Sequence, residues 1–247
     1  MTNNAPMRKT ILLVAAITLG IVGAQAQIIN IDFDSTSGND DPILNSHTGG
    51  ATYFGQGVVS DPGNDFWNRH ENNTFSNSGF TLSNLFQSDG LTQTGVGITL
   101  TGSGGGYSGS GNDLLDDYLF IQTNTNNQTI TITGLTGSFY DIYFYGMGNN
   151  AGQGSTFTFG TTSLQTTNSP RNGTSFVQNQ NYVVFSGLTP SSGNLSFLWS
   201  VGPDNANGAL NGIQIVTAIP EPSTYALLIG GLAALALLRR RSRRTVA

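Results

Sequence analysis

Between Gln27 and Thr217 the chain runs in short stretches that alternate apolar and polar residues and stop at Gly, Asn, Ser or Pro. Ile29-Asn30-Ile31-Asp32-Phe33-Asp34 is the cleanest of them. Successive side chains of a β-strand point to opposite faces, so a period of two gives each strand one apolar and one polar face. The same pattern predicts strands at 79–86, 96–101, 118–122, 129–133, 139–147, 155–159, 182–186, 194–201 and 209–217. No stretch of helical periodicity lies between the two ends of the chain. Composition points the same way, because Gly, Ser, Thr and Asn make up 110 of the 247 residues and charged residues only 9%. Glycine carries a large backbone entropy cost in a helix, and Ser, Thr and Asn draw backbone hydrogen bonds away from it. A helical bundle or coiled coil is excluded. The 37% hydrophobic content argues against disorder, and long apolar runs occur only at the ends, which excludes a multi-span membrane protein. The fold class predicted is all-β: an antiparallel β-sandwich, jelly-roll-like, over 27–217, flanked by an N-terminal signal helix and a C-terminal transmembrane helix.

The net charge of −5 is unevenly spread. Arg8 and Lys9 stand near the start, and Arg239, Arg240, Arg241, Arg243 and Arg244 near the end. From 27 to 219 only Arg69 and Arg171 oppose thirteen acidic residues, a net charge of −11. Such a domain repels phosphate backbones, so nucleic acid is not an expected partner. The absence of cysteine removes disulfides, thiolate metal sites and thiol nucleophiles.

The first 26 residues have the form of a signal peptide. A basic Arg8-Lys9 precedes the apolar run 11–22, and Ala24-Gln25-Ala26 places small residues where signal peptidase reads them. The mature chain is expected to begin at Gln27. The tail is tripartite: Pro220-Glu221-Pro222, an apolar segment reaching Leu238, and an arginine cluster over 239–244. An apolar span of about 223–238 is short for a bilayer core of ~30 Å, and a snorkelling Arg239 narrows the gap. The arginines are expected to stay cytoplasmic and the acidic domain to lie outside.

This tail, 218–244, resembles the PEP-CTERM sorting signal. The resemblance implies processing by exosortase, a membrane-embedded transpeptidase of exopolysaccharide-producing Gram-negative bacteria, with Pro220, Glu221 and Pro222 as the recognition motif. It also implies an inner-membrane intermediate followed by delivery to the cell surface or extracellular matrix. The phrases GLTGSFYDIYFYG and GALNGIQIV in the middle region resemble galactose-binding-like jelly rolls, which include carbohydrate-binding modules. That resemblance implies a sandwich whose terminal strands, 29–34 and 213–216, lie side by side.

Candidate chemistry is sparse. His47 and His70 show no metal-binding spacing and are read as surface residues in loops. The Gly102–Gly111 run fits neither a nucleophile elbow nor a phosphate loop and is read as a flexible surface loop. No catalytic residue is assigned. Calcium takes hard oxygen ligands, and two Asp groups are candidates: Asp113, Asp116 and Asp117, and Asp32 with Asp34. For sugar binding the candidate is Trp67, a ring amid Asn64, Asp65, Asn68 and Arg69 that could stack on a pyranose; Tyr107 is second. Trp199 reads as core. The function expected is a non-catalytic exported protein that binds polysaccharide. The alternative is a polysaccharide-active enzyme, a glycosidase or lyase, which would need a pair of carboxylates about the scissile bond.

Overall fold

The computed structural model describes residues 26–34, 56–60, 65–71, 78–107, 113–122, 127–171, 175–203 and 207–218, together with 230, 231 and 233. Thirteen strands and one short helix follow in order: β1 (Ile28–Asp34), β2 (Trp67–Glu71), β3 (Ser78–Leu82), β4 (Gly97–Tyr107), α1 (Asp113–Asp116), β5 (Asp117–Gln122), β6 (Gln128–Thr133), β7 (Tyr140–Tyr145), β8 (Ser155–Phe159), β9 (Thr162–Gln165), β10 (Tyr182–Leu188), β11 (Leu195–Val201), β12 (Asn207–Leu210) and β13 (Gly212–Thr217). Most of the signal segment, including Ala24, lies outside the described residues, as do Pro220–Pro222 and nearly all of the apolar tail. Among the described residues no helix is long and apolar enough to cross a membrane.

Two sheets form the sandwich. One has the order β10-β7-β13-β1-β2; the other runs β12-β5-β4-β6-β11-β8-β9, with β3 also on β4. Pairing is antiparallel throughout except where β2 lies parallel to β1. The terminal strands do lie side by side, with Ile29 opposite Ile215 and Ile31 opposite Ile213. The alternation has its predicted effect. Ile29, Ile31, Phe33, Ile142, Phe144, Ile213 and Ile215 from the first sheet meet Ile98, Leu100, Ile130, Ile132, Phe157 and Phe197 from the second in one buried core. Phe144 stacks on Phe157 at 4.5 Å between ring centres and meets Phe197 edge-on at 4.9 Å. Aromatic pairs of this kind add to the stabilisation from burial alone.

Three local readings change. The expected strand 209–217 is two strands, because the chain leaves one sheet and enters the other at Asn211. Gly212 permits this crossing: a Cβ there would stand 2.8 Å from the carbonyl oxygen of Ile31. The glycine run read as a loop continues β4 as far as Tyr107 and pairs with β5. Gly104 leaves room for the Phe120 ring, which a Cβ would meet at 2.9 Å. His70 is not a loop residue. It lies in β2 and stacks on Phe80, ring centres 3.6 Å apart. His47 lies outside the described residues.

Candidate functional site

The face of the larger sheet that points away from the core carries rows of hydroxyls. Thr81 stands opposite Thr99, Thr99 opposite Thr131, and Thr131 opposite Ser196. A second row pairs Thr129 with Leu198, Leu198 with Thr158, and Thr158 with Ser163. These residues share a face because inward positions on the same strands, such as Ile98, Leu100, Ile130, Phe157 and Phe197, are in the core. Neighbouring strands lie ~4.8 Å apart and alternate residues of a strand ~6.7 Å apart, so the rows form a repeating lattice of oxygens. Hydroxyls bond along the rows: Thr81 with Thr99 at 3.0 Å, Thr131 with Ser196 at 3.3 Å, and Thr158 with Ser163 at 2.8 Å. A pair joined in this way uses one of its two O–H donors and one of its four lone pairs, so it can still bond a ligand. β3, β4, β6, β8, β9 and β11 contain no Asp, Glu, Lys, Arg or His. Leu198, 41% exposed, is an apolar island in this neutral field.

The outward face of the smaller sheet is covered. Trp67, Leu114, Leu115, Tyr145 and Met147 form a second buried cluster, joined by Val58, Tyr143, Phe176 and Tyr182. A polar relay pins the segment 56–60 onto it. Tyr145 Oη donates to Gln214 Oε1 and accepts the N–H of Val58 at 2.7 Å. Gln214 Nε2 donates to Asn30 Oδ1 at 2.7 Å and to the Val59 carbonyl at 2.8 Å, and Asn30 Nδ2 donates to the Phe66 carbonyl at 3.0 Å. Burial holds the Tyr145 phenol well above its ordinary pKa, against the opposing pull of the Val58 hydrogen bond.

Trp67 is therefore not the exposed ring expected. It opens β2, is 2% exposed, and meets Tyr145 edge-on at 6.1 Å. Its polar neighbours serve the fold: Asn68 donates to the carbonyls of Asn30 and Phe86, both at 2.8 Å, and accepts the Phe86 N–H. Trp199 is also buried and donates its indole N–H to Ser155 Oγ at 2.8 Å. Tyr107 ends β4. Of the Asp candidates, Asp32 and Asp117 are buried on β1 and β5, Asp34 ends β1, and Asp113 and Asp116 bound α1. Asn211 draws the ends of these strands together: it accepts from Phe33 N, donates to the Asp117 carbonyl, and accepts from Met147 N. Among the described residues no three His, Asp or Glu side chains are grouped to hold a metal ion. The sequence reading missed the hydroxyl face, although the phrases ITLT, TITIT and TFTF carry it: alternate threonines are its signal.

Residues 218–244 match the family model of the PEP-CTERM protein-sorting motif. The chain thus carries the signal of an exported protein that exosortase processes at the membrane. No curated protein matches it. A solved structure, the crystal structure of the protein YxiM from Bacillus subtilis, is similar over 77% of this chain at 13% identity and a TM-score of 0.37, and the match spans 40% of that chain.

Proposed function

We propose that this carrier of a PEP-CTERM tail is a non-catalytic protein of the cell surface or extracellular matrix of a Gram-negative bacterium, and that it grips neutral exopolysaccharide. Signal peptidase acts after Ala26, the tail holds the intermediate in the inner membrane, and exosortase then acts near Pro220, Glu221 and Pro222. The observation that carries the binding role is the charge-free hydroxyl lattice of the larger sheet. It offers donors and acceptors at regular spacing with nothing to repel an uncharged polymer. Leu198 supplies a patch for the apolar faces of sugar rings. The remaining acidity of the domain works against anionic polymers, so neutral chains are favoured over uronic-acid polymers.

Retention on insoluble neutral glucan and on alginate, measured side by side with reducing-sugar release, tests the reading. Retention on the neutral polymer is expected, with no sugar released. Thr131→Lys and Leu198→Asp, each on an exposed or half-exposed position, should abolish retention without lowering Tm by more than a few degrees. Unchanged retention in both variants removes the face from the binding role, and release of reducing sugar moves the protein to the enzyme class.

A further inference from the structure

We infer that one pole of the sandwich is a membrane-contact surface, on which Leu91 and Phe139 rest at the lipid interface while the sorting tail is still attached. The strand register places both ends of the domain, Gln27 and Ala218, at this pole. β1 begins at Ile28 opposite Val216, and β13 ends at Thr217, so the chain enters and leaves on adjacent strands. The junction is pinned. Gln27 N donates to Thr217 Oγ1 at 2.6 Å, Thr217 N to the Gln27 carbonyl at 2.9 Å, and Ala218 N to the Phe139 carbonyl at 3.0 Å. From Ala218 to Tyr225, where the apolar run begins, there are seven Cα steps. At ~3.6 Å per step they reach at most ~25 Å. A tether of this length keeps a bilayer that holds the tail within reach of the domain.

Its exposed residues suit that position. Among the described residues three large hydrophobic side chains are exposed: Leu91 at 85%, Phe139 at 42%, and Leu198. Phe139 is the residue whose carbonyl receives Ala218. Leu91 is on the tight turn in which Gln87 N donates to the Thr92 carbonyl, and that turn is fastened to the start of β1 through Ser88 N and the Ile28 carbonyl at 2.8 Å. Asp89 shapes it by accepting from the N–H groups of Leu91 and Thr92, both at 2.8 Å. Backbone bonds fix the turn of Leu91 to the start of β1 and Phe139 to the end of β13, so the fold holds both exposed side chains at the pole where the chain enters and leaves. Two such side chains are enough here, because the tail makes the contact intramolecular and supplies a millimolar effective concentration. The occupant committed to is a zwitterionic lipid surface, since the acidic domain is repelled by an anionic one.

The chain has no cysteine, so Leu91→Cys, Phe139→Cys and Leu198→Cys each create a unique labelling site. The full chain, carrying an environment-sensitive fluorophore at one of these sites, is reconstituted through its tail into phosphatidylcholine–phosphatidylethanolamine vesicles. Brominated acyl chains should quench the label at 91 and 139 several-fold more than at 198. Equal quenching at all three sites, or none at 91 and 139, overturns the assignment. Quenching at 91 and 139 that appears only when exosortase is co-reconstituted also overturns it and gives the pole to the enzyme. Neither result bears on polysaccharide retention, which reads a different face.

Discussion

Tyr145 and Trp67 show how much of this molecule is settled by single side chains on the covered face of the smaller sheet. The Tyr145 phenol is buried and bonded to Gln214 and Val58. Tyr145→Phe would leave the Val58 N–H without this partner, while Gln214 Oε1 keeps the N–H of Val59 at 3.2 Å. Unpaired buried polar groups cost about 1–3 kcal/mol, and that is the loss of stability expected in denaturant titration. The pH dependence is fixed in sign. Burial raises the folded-state pKa above the unfolded value of about 10, so the contribution is complete below pH 10 and is lost as pH climbs beyond it. The phenylalanine variant should lose less stability than the parent above pH 10, and equal slopes would contradict this. Trp67→Ala removes a buried ring and should cost about 3–5 kcal/mol, as large-to-small core changes do. Its burial was not legible in the sequence. Trp67-Asn68-Arg69-His70-Glu71 alternates a ring with polar residues only, because Asn68 fills its inward position by bonding backbone carbonyls and His70 by stacking on Phe80. A strand whose inward side chains are polar gives no hydrophobic period to detect.

Elements were legible where both faces obeyed the alternation and illegible where glycine or brevity hid it. β1, β6, β8 and β11 read directly from their apolar positions, whereas β9, Thr162-Ser163-Leu164-Gln165, offers one apolar residue in four. The far half of β4 is Gly104-Gly105-Gly106-Tyr107, and glycine reads as a turn unless the ring that needs its space is known. The two Gly-Leu-Thr junctions make the same point. In sequence Gly134-Leu135-Thr136 and Gly187-Leu188-Thr189 are equivalent, and both glycines have positive φ, +73° and +67°. Their surroundings differ. A Cβ on Gly134 would lie 2.0 Å from the carbonyl oxygen of Gly95, while one on Gly187 meets nothing within 4 Å. Gly187→Ala should therefore cost only the left-handed backbone penalty, roughly 1–2 kcal/mol. Gly134→Ala adds a backbone collision and should cost at least twice as much. Chemical denaturation of the two variants decides it, and equal costs would show that the 134–139 turn can shift aside.

At the scale of the whole molecule, the last of the described strands to leave the ribosome stands near the centre of a sheet. β13 lies between β7 and β1, and its Ile213 and Ile215 enter the core shared by both sheets. In a chain exported unfolded, the sandwich is expected to close only after residues 212–217 have crossed the membrane. Long-range pairing of this kind makes folding slow, because the loop-closure entropy of nearly the whole domain precedes the gain from contact. The segment that completes the sandwich is next in sequence to the sorting motif, so folding is expected to precede processing. A chain ended after Ala218 retains every described strand and should show a single cooperative melt with a near-ultraviolet circular dichroism signal from its packed aromatic rings. A chain ended after Asn211 lacks only β13 and the tail, yet it exposes the inward faces of β1 and β7 and loses both of their central pairings. It should lack the near-ultraviolet signal and the cooperative transition. A cooperative melt from the shorter chain would mean that β1 and β7 can close the sheet without β13, and the ordering of folding before processing would fail with it.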